Sequence, residues 1–133
     1  MEHMSILIVE EEAIIAADIA NKIESMGFQV SGIALTADEA VAVARKMCPQ
    51  LALMELNLSK KDVGLRTAKI IQQLCDHLPI LFLSCDPATM GAIDRADLTG
   101  PYGCIQKPFD KRHLTAQIAR VLKRNEACHI PEA

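Results

Sequence analysis

The chain has 133 residues, half of them apolar and 23% charged, with six glycines and six prolines. That is the make-up of one compact domain, with no room for a second catalytic or DNA-binding module. A formal charge of −3, three phenylalanines, one tyrosine and no tryptophan speak against a phosphate-tracking surface or a base-stacking platform, so nucleic acid is not expected as a direct partner.

Residues 5–9 (SILIV) read as a first strand. Ile15, Ile19, Ile23 and Met26 then fall on one stripe of a helix that Gly27 ends. Residues 29–35 (QVSGIAL) form a second strand, and TADE at 36–39 is a capping box opening a helix that carries Ala40, Ala44 and Met47 inward before Pro49. A third strand covers residues 51–54 (LALM), followed by the stripe Leu65, Ala68, Ile71 and Cys75. Residues 79–83 (PILFL) give a fourth strand and a short helix follows Pro87. Residues 102–105 make the fifth strand, and Asp110 caps a last helix with Leu114, Ile118, Val121 and Leu122 on its inner side. The period is lost at Asn125, so one domain spans 1–124 and residues 125–133 read as a frayed tail.

Three of the strands are nearly continuous apolar runs, as expected where both faces are covered. Strands alternating with helices in a (βα)5 pattern predict an α/β fold, a parallel sheet with helices on both sides. In such sheets a site forms beyond the carboxyl ends of the strands, where strand order reverses. For the order 2-1-3-4-5 that crevice lies between strands 1 and 3. Strand 1 runs into Glu10, Glu11 and Glu12, strand 3 into Glu55, strand 4 into Ser84, and strand 5 is followed by Lys107 and Pro108. Carboxylates brought together need a cation, either the Lys107 ammonium or a divalent ion. An oxygen-only donor set suits Mg²⁺, with Ser84 and Lys107 placed to hold phosphoryl oxygens. The plainer alternative is a set of solvated carboxylates at loop starts, Glu11 and Glu12 favoured there by a helix dipole, and a Ser84 hydroxyl that only closes its own loop.

Five cysteines (Cys48, Cys75, Cys85, Cys104, Cys128) are an odd number without CxxC spacing, and no signal-peptide-like segment leads the chain. Free thiols in a reducing cytoplasm are therefore expected, acting as small buried side chains, with oxidation sensing at Cys85 and Cys104 as the less common reading. No apolar run reaches the ~20 residues of a membrane-spanning helix.

The anchors ILIVEEE, PQLALMELNL, PILFLS and GCIQKPF, in that order and at those distances, resemble the response-regulator receiver domains of two-component phosphorelay signalling from Ser5 to about Lys123. The resemblance implies a flavodoxin-like doubly wound sheet in the order 2-1-3-4-5. It implies an acidic pair for Mg²⁺ at Glu10 and Glu11, completed by residue 55 and the Asn57 backbone carbonyl, with Ser84 and Lys107 as phosphoryl contacts. A cis Lys107–Pro108 peptide is implied as well. Receivers use aspartate as the phosphoacceptor, and Glu55 stands there. The extra methylene displaces the carboxylate by about 1.5 Å, one C–C bond, and an error of ~1 Å can cost about 100-fold in an in-line transfer.

Glu55 thus reads as a mimic of the phosphorylated state, as a lost site, or as a poor acceptor. Receivers place an aromatic switch residue three positions before the lysine, and this chain has Cys104 there. The family also implies a histidine kinase or phosphotransfer domain as partner, an effector protein bound in place of an output domain, and a homodimer through the helix 4 to helix 5 face. The expected function is a pseudo-receiver, a protein-binding module and not an enzyme, that works without phosphorylation. The alternatives are a conventional receiver slowly phosphorylated with Mg²⁺ and a Mg²⁺-dependent phosphatase.

Overall fold

The computed structural model describes residues 3–60 and 62–129, with 124–129 described by their backbone alone. Its elements follow in the order β1 (Ser5–Val9), α1 (Ala13–Ser25), β2 (Gln29–Ala34), α2 (Ala37–Lys46), β3 (Leu51–Glu55), α3 (Val63–Leu74), β4 (Ile80–Leu83), α4 (Pro87–Asp94), β5 (Tyr102–Ile105) and α5 (Lys111–His129). The five strands form one parallel sheet ordered β2-β1-β3-β4-β5, the flavodoxin-like doubly wound arrangement.

The apolar runs are explained by two cores on the two faces of this sheet. Leu7, Val9, Met54 and Phe82 pack with Ala40, Ala44, Ala68, Ile71 and Ile93, residues of α2, α3 and α4. Their strand neighbours Ile6, Ile8, Leu53, Leu81 and Leu83 turn the other way, against Ile19 and Ile23 of α1 and Leu114, Ile118 and Val121 of α5. Because side chains alternate along a strand, only a strand covered on both sides can be apolar throughout. β2, at the sheet's edge, keeps an alternating pattern of exposure instead.

Local chemistry sets the ends. Thr36 caps α2, its hydroxyl accepting from the Glu39 backbone N–H at 3.1 Å. Asp110 receives the His113 backbone N–H at 2.8 Å at the start of α5. Gly27, at φ 91°, takes the left-handed conformation after α1 that side chains resist.

Two expectations, on Met47 and on the cysteines, are corrected. Met47 is 72% exposed, because α2 stops at Lys46 and the extended backbone of Met47 turns its side chain out of the helical stripe. The backbone of α5 continues through His129; Asn125 to Cys128 include no helix breaker, and a nucleated helix extends at little cost. Residues 130–133 of the expected tail lie outside the described residues. Four cysteines are not free thiols: Cys48 pairs with Cys75 and Cys85 with Cys104. These partners stand 27 and 19 positions apart, so no local spacing marks them; the packing of α2 on α3 and the pairing of β4 with β5 bring them together.

Gly64 in the first turn of α3 is pressed against the end of β3. A Cβ there would lie 2.4 Å from the Glu55 carbonyl oxygen and 2.5 Å from that of Leu56. Backbone atoms cannot yield as a flexible side chain does. Gly64→Ala is expected to destabilise the fold by about 1–3 kcal/mol, which thermal unfolding registers as a Tm lower by several degrees; an unchanged Tm would contradict this packing.

Candidate functional site

The backbone ladder continues one residue past the ends of three strands and so sets out the site. Glu10 N–H donates to the Ala34 carbonyl at 3.0 Å, Leu56 N–H to Leu83 at 3.3 Å, and Ser84 N–H to Ile105 at 3.0 Å. Glu10, Glu55 and Ser84 are thereby carried by hydrogen-bonded backbone at one edge of the sheet, and Lys107 enters from beyond β5 through a cis Lys107–Pro108 peptide.

Glu55 is 4% exposed and Glu10 2%. Burying a carboxylate is costly unless charge and hydrogen bonds replace its water. Both are supplied. Lys107 Nζ lies 2.5 Å from Glu55 Oε1 and also bonds Glu10 Oε1. The Ser84 hydroxyl donates to the same Glu55 oxygen at 3.1 Å, and the Asn57 backbone N–H donates to Glu55 Oε2 at 2.9 Å. Glu10 Oε2 accepts the Glu12 backbone N–H at 3.2 Å.

Ser84 adopts φ 64°, a left-handed conformation that costs a non-glycine residue roughly 1–2 kcal/mol. Its hydroxyl donates across to β3 and does not close its own loop. The Lys107 ammonium is pulled down by burial, yet its hydrogen bonds to Glu10 and then Glu55, with the charges of both, outweigh that and hold its pKa above the ordinary 10.5.

Four of the expected residues, Glu10, Glu55, Ser84 and Lys107, therefore meet. Glu11 does not join them: its side chain is exposed and accepts the Ser59 backbone N–H at 3.3 Å. Asn57 contributes its N–H. The expected Mg²⁺ donor set is not assembled in this arrangement. The ammonium stands between the two buried carboxylates, the third carboxylate is turned to the surface, and no group of three or more His, Cys, Asp or Glu among the described residues is arranged to hold a metal ion. Sequence reasoning also missed the covalent link between Cys104 and Cys85, the residue after Ser84; strand pairing that places Cys104 opposite Phe82 is the signal that could have found it. Asp86 and Thr89 form an unforeseen capping box at the start of α4, which lowers the Asp86 pKa through the Thr89 backbone hydrogen bond first and the Thr89 side chain second.

Residues 6–119 match the family model described as response regulator receiver domain. The chain is 30% identical over 129 residues to the phyllosphere-induced regulator PhyR of Methylorubrum extorquens, covering 96% of this chain and 47% of that protein. It is 29% identical to the transcriptional regulatory protein PdtaR of Mycobacterium tuberculosis, covering 90% of this chain and 57% of that one. The chain thus spans about half the length of the curated relatives it matches. Among solved structures, the receiver domain of Erythrobacter litoralis PhyR superposes with a TM-score of 0.79 at 25% identity, covering 100% of this chain and 98% of that one. The anti-anti-sigma factor PhyR of Bartonella quintana superposes with a TM-score of 0.78 at 30% identity, covering 96% of this chain and 51% of that one.

Removing the ammonium leaves two buried carboxylates facing each other. Lys107→Met is expected to cost about 3–5 kcal/mol in chemical denaturation at neutral pH. A group whose pKa is raised by folding stabilises fully below its unfolded value and loses that contribution as pH rises through the folded one. Wild-type stability should therefore fall above pH 10.5 by a step that Lys107→Met lacks; identical alkaline profiles would contradict the pairing.

Proposed function

The chain belongs to the response-regulator receiver domain family, and we propose that it is a pseudo-receiver, a protein-binding signalling module whose state is set by Glu55 and not by phosphorylation. The observation that carries this reading is the occupation of the Glu55 carboxylate. It holds Lys107, Ser84 and the Asn57 N–H, two side chains and an amide suited to oxygens of a transferred phosphoryl group. An incoming phosphoryl group would have to displace all three.

A lost site would leave those donors to water or to other partners. Here they converge on one carboxylate, which favours a module held by Glu55 in a single bonded state. The likeness to a phosphorylated acceptor is partial, since a phosphoryl group brings nearly two charges and three acceptor oxygens where Glu55 has one charge and two oxygens. Lys107 takes the neutralising role that Mg²⁺ has in the family, so the proposed module needs no metal to keep its carboxylates together. Glu10, Glu55, Ser84 and Lys107 are its site residues, and Glu11 and the Asn57 carbonyl are left outside.

The partner proposed is an effector protein. PhyR of Bartonella quintana is described as an anti-anti-sigma factor, a protein that acts on proteins, which supports that class of partner. A histidine kinase or phosphotransfer domain would dock without transferring its phosphoryl group, and a homodimer through α4 and α5 is the remaining contact the family suggests. No helix among the described residues is long and apolar enough to cross a membrane, in keeping with a proposed cytoplasmic location.

Incubation with acetyl phosphate or phosphoramidate and Mg²⁺, followed by intact mass, tests the reading. Wild type should remain unlabelled while Glu55→Asp, one methylene shorter, becomes labelled at residue 55. Stoichiometric labelling of wild-type Glu55 would replace this reading with that of a slow conventional receiver.

A further inference from the structure

The Ser84 hydroxyl is the one contact to Glu55 supplied by the turn between β4 and α4, and the residue beside it is covalently tied to β5. Cys85, 8% exposed, is bonded to the half-buried Cys104, with Cα atoms 5.9 Å apart. That separation lies within the ordinary range for a disulfide, so the bridge forms without moving the backbone. The helix that follows is lightly anchored: Ile93 is its only buried residue, and Tyr102 Oη donates to Asp94 Oδ1 at 2.7 Å from β5. The crosslink thus sits at the base of α4 and encloses all of it in the loop it closes.

We propose that Cys85 and Cys104 form a reversible thiol–disulfide site through which small disulfides such as oxidised glutathione set the position of Ser84 and α4. The exchange balances. The Cys104 thiolate, the more exposed of the two, attacks one sulfur of the small disulfide, forming a mixed disulfide and expelling one thiolate. The Cys85 thiolate then attacks Cys104 Sγ, closing the protein disulfide and expelling the second. Two cysteine thiols are oxidised, one small disulfide is reduced to two thiols, and the two protons pass to the departing thiolates; two small thiols reverse the reaction.

In the bridged form the turn is held by the Cys85–Cys104 bond as well as by the Ser84 contacts to Glu55 and Ile105. In the dithiol form the Ser84 contacts and the packing of the Cys85 side chain in the core remain, against a left-handed backbone at Ser84 and a helix with one buried side chain. The reversibility rests on the cytoplasmic reading given above, because disulfides in a reducing compartment are transient or regulatory. The effect on Ser84 does not depend on whether Glu55 can be phosphorylated.

The test is a titration of the wild-type protein in buffers of reduced and oxidised glutathione. Differential alkylation with peptide mapping follows each cysteine pair, and backbone amide spectra are recorded at every point. Cys85 and Cys104 should convert together, and the amides of Ser84 and of residues 87–94 should shift with the same midpoint. Cys104→Ser should keep the amides of Ser84 and of residues 87–94 at their reduced positions at every glutathione ratio. The tyrosine emission offers a second readout, because Tyr102 is the only tyrosine in a chain without tryptophan and its hydroxyl links β5 to Asp94 of α4. A pair that stays in one state across the whole range overturns the proposal, as do shifts confined to Cys85 and Cys104. Labelling of Glu55 by a phosphodonor would overturn the reading of Glu55 and leave this titration unaffected.

Discussion

One ammonium group between two buried carboxylates is what the carboxyl edge of this sheet is arranged around. Withdrawing an ion from water costs several kcal/mol, and unit charges ~4 Å apart recover about 4 kcal/mol at the effective dielectric of a protein site. The two magnitudes are comparable, so the triad of Glu10, Lys107 and Glu55 contributes little net stability as a set. What it secures is placement: Lys107 spans the ends of β1 and β3 from beyond β5, and its loss leaves both carboxylates buried without their counter-charge.

The identity of residue 55 follows through this arrangement. Its carboxylate reaches Lys107 and Ser84 directly and accepts from the Asn57 amide. On the proposed reading, the groups that would neutralise a developing phosphoryl charge are already engaged by the residue that would have to accept it. With Lys107 and Ser84 on one oxygen and the Asn57 N–H on the other, the Glu55 carboxylate is internally satisfied. The proposed reading takes this as a poor starting point for group transfer and a sound one for holding a single conformation. The turn after β4 inherits the consequence, because the left-handed backbone at Ser84 is sustained by the bond its hydroxyl makes to Glu55.

Much of this could be read from the chain. Burial on both faces leaves unbroken apolar runs, and those runs located β1, β3 and β4 to within a residue of their ends. The convergence of Glu10, Glu55, Ser84 and Lys107 followed from topology, since residues just past the ends of adjacent parallel strands must meet. Whether Glu11 joins them depends on which way one side chain turns at the start of a loop, and periodicity carries no information on that. Met47 turned outward for a similar reason, a helix ending one residue sooner than its apolar spacing. No local spacing marks the disulfides: the pairing of β4 with β5 could have signalled Cys85–Cys104, whereas Cys48–Cys75 depends on how α2 packs on α3.

The claim that Glu55 fills its own site is tested most directly by offering that site a phosphoryl analogue. Amide spectra of the wild-type protein can be recorded as Mg²⁺ and beryllofluoride are added, with Asn57, Ser84 and Lys107 as reporters. An occupied carboxylate predicts no saturable shift at any of the three, whereas saturable shifts at Asn57 and Ser84 would mean that the crevice is open and that Glu55 does not lock it.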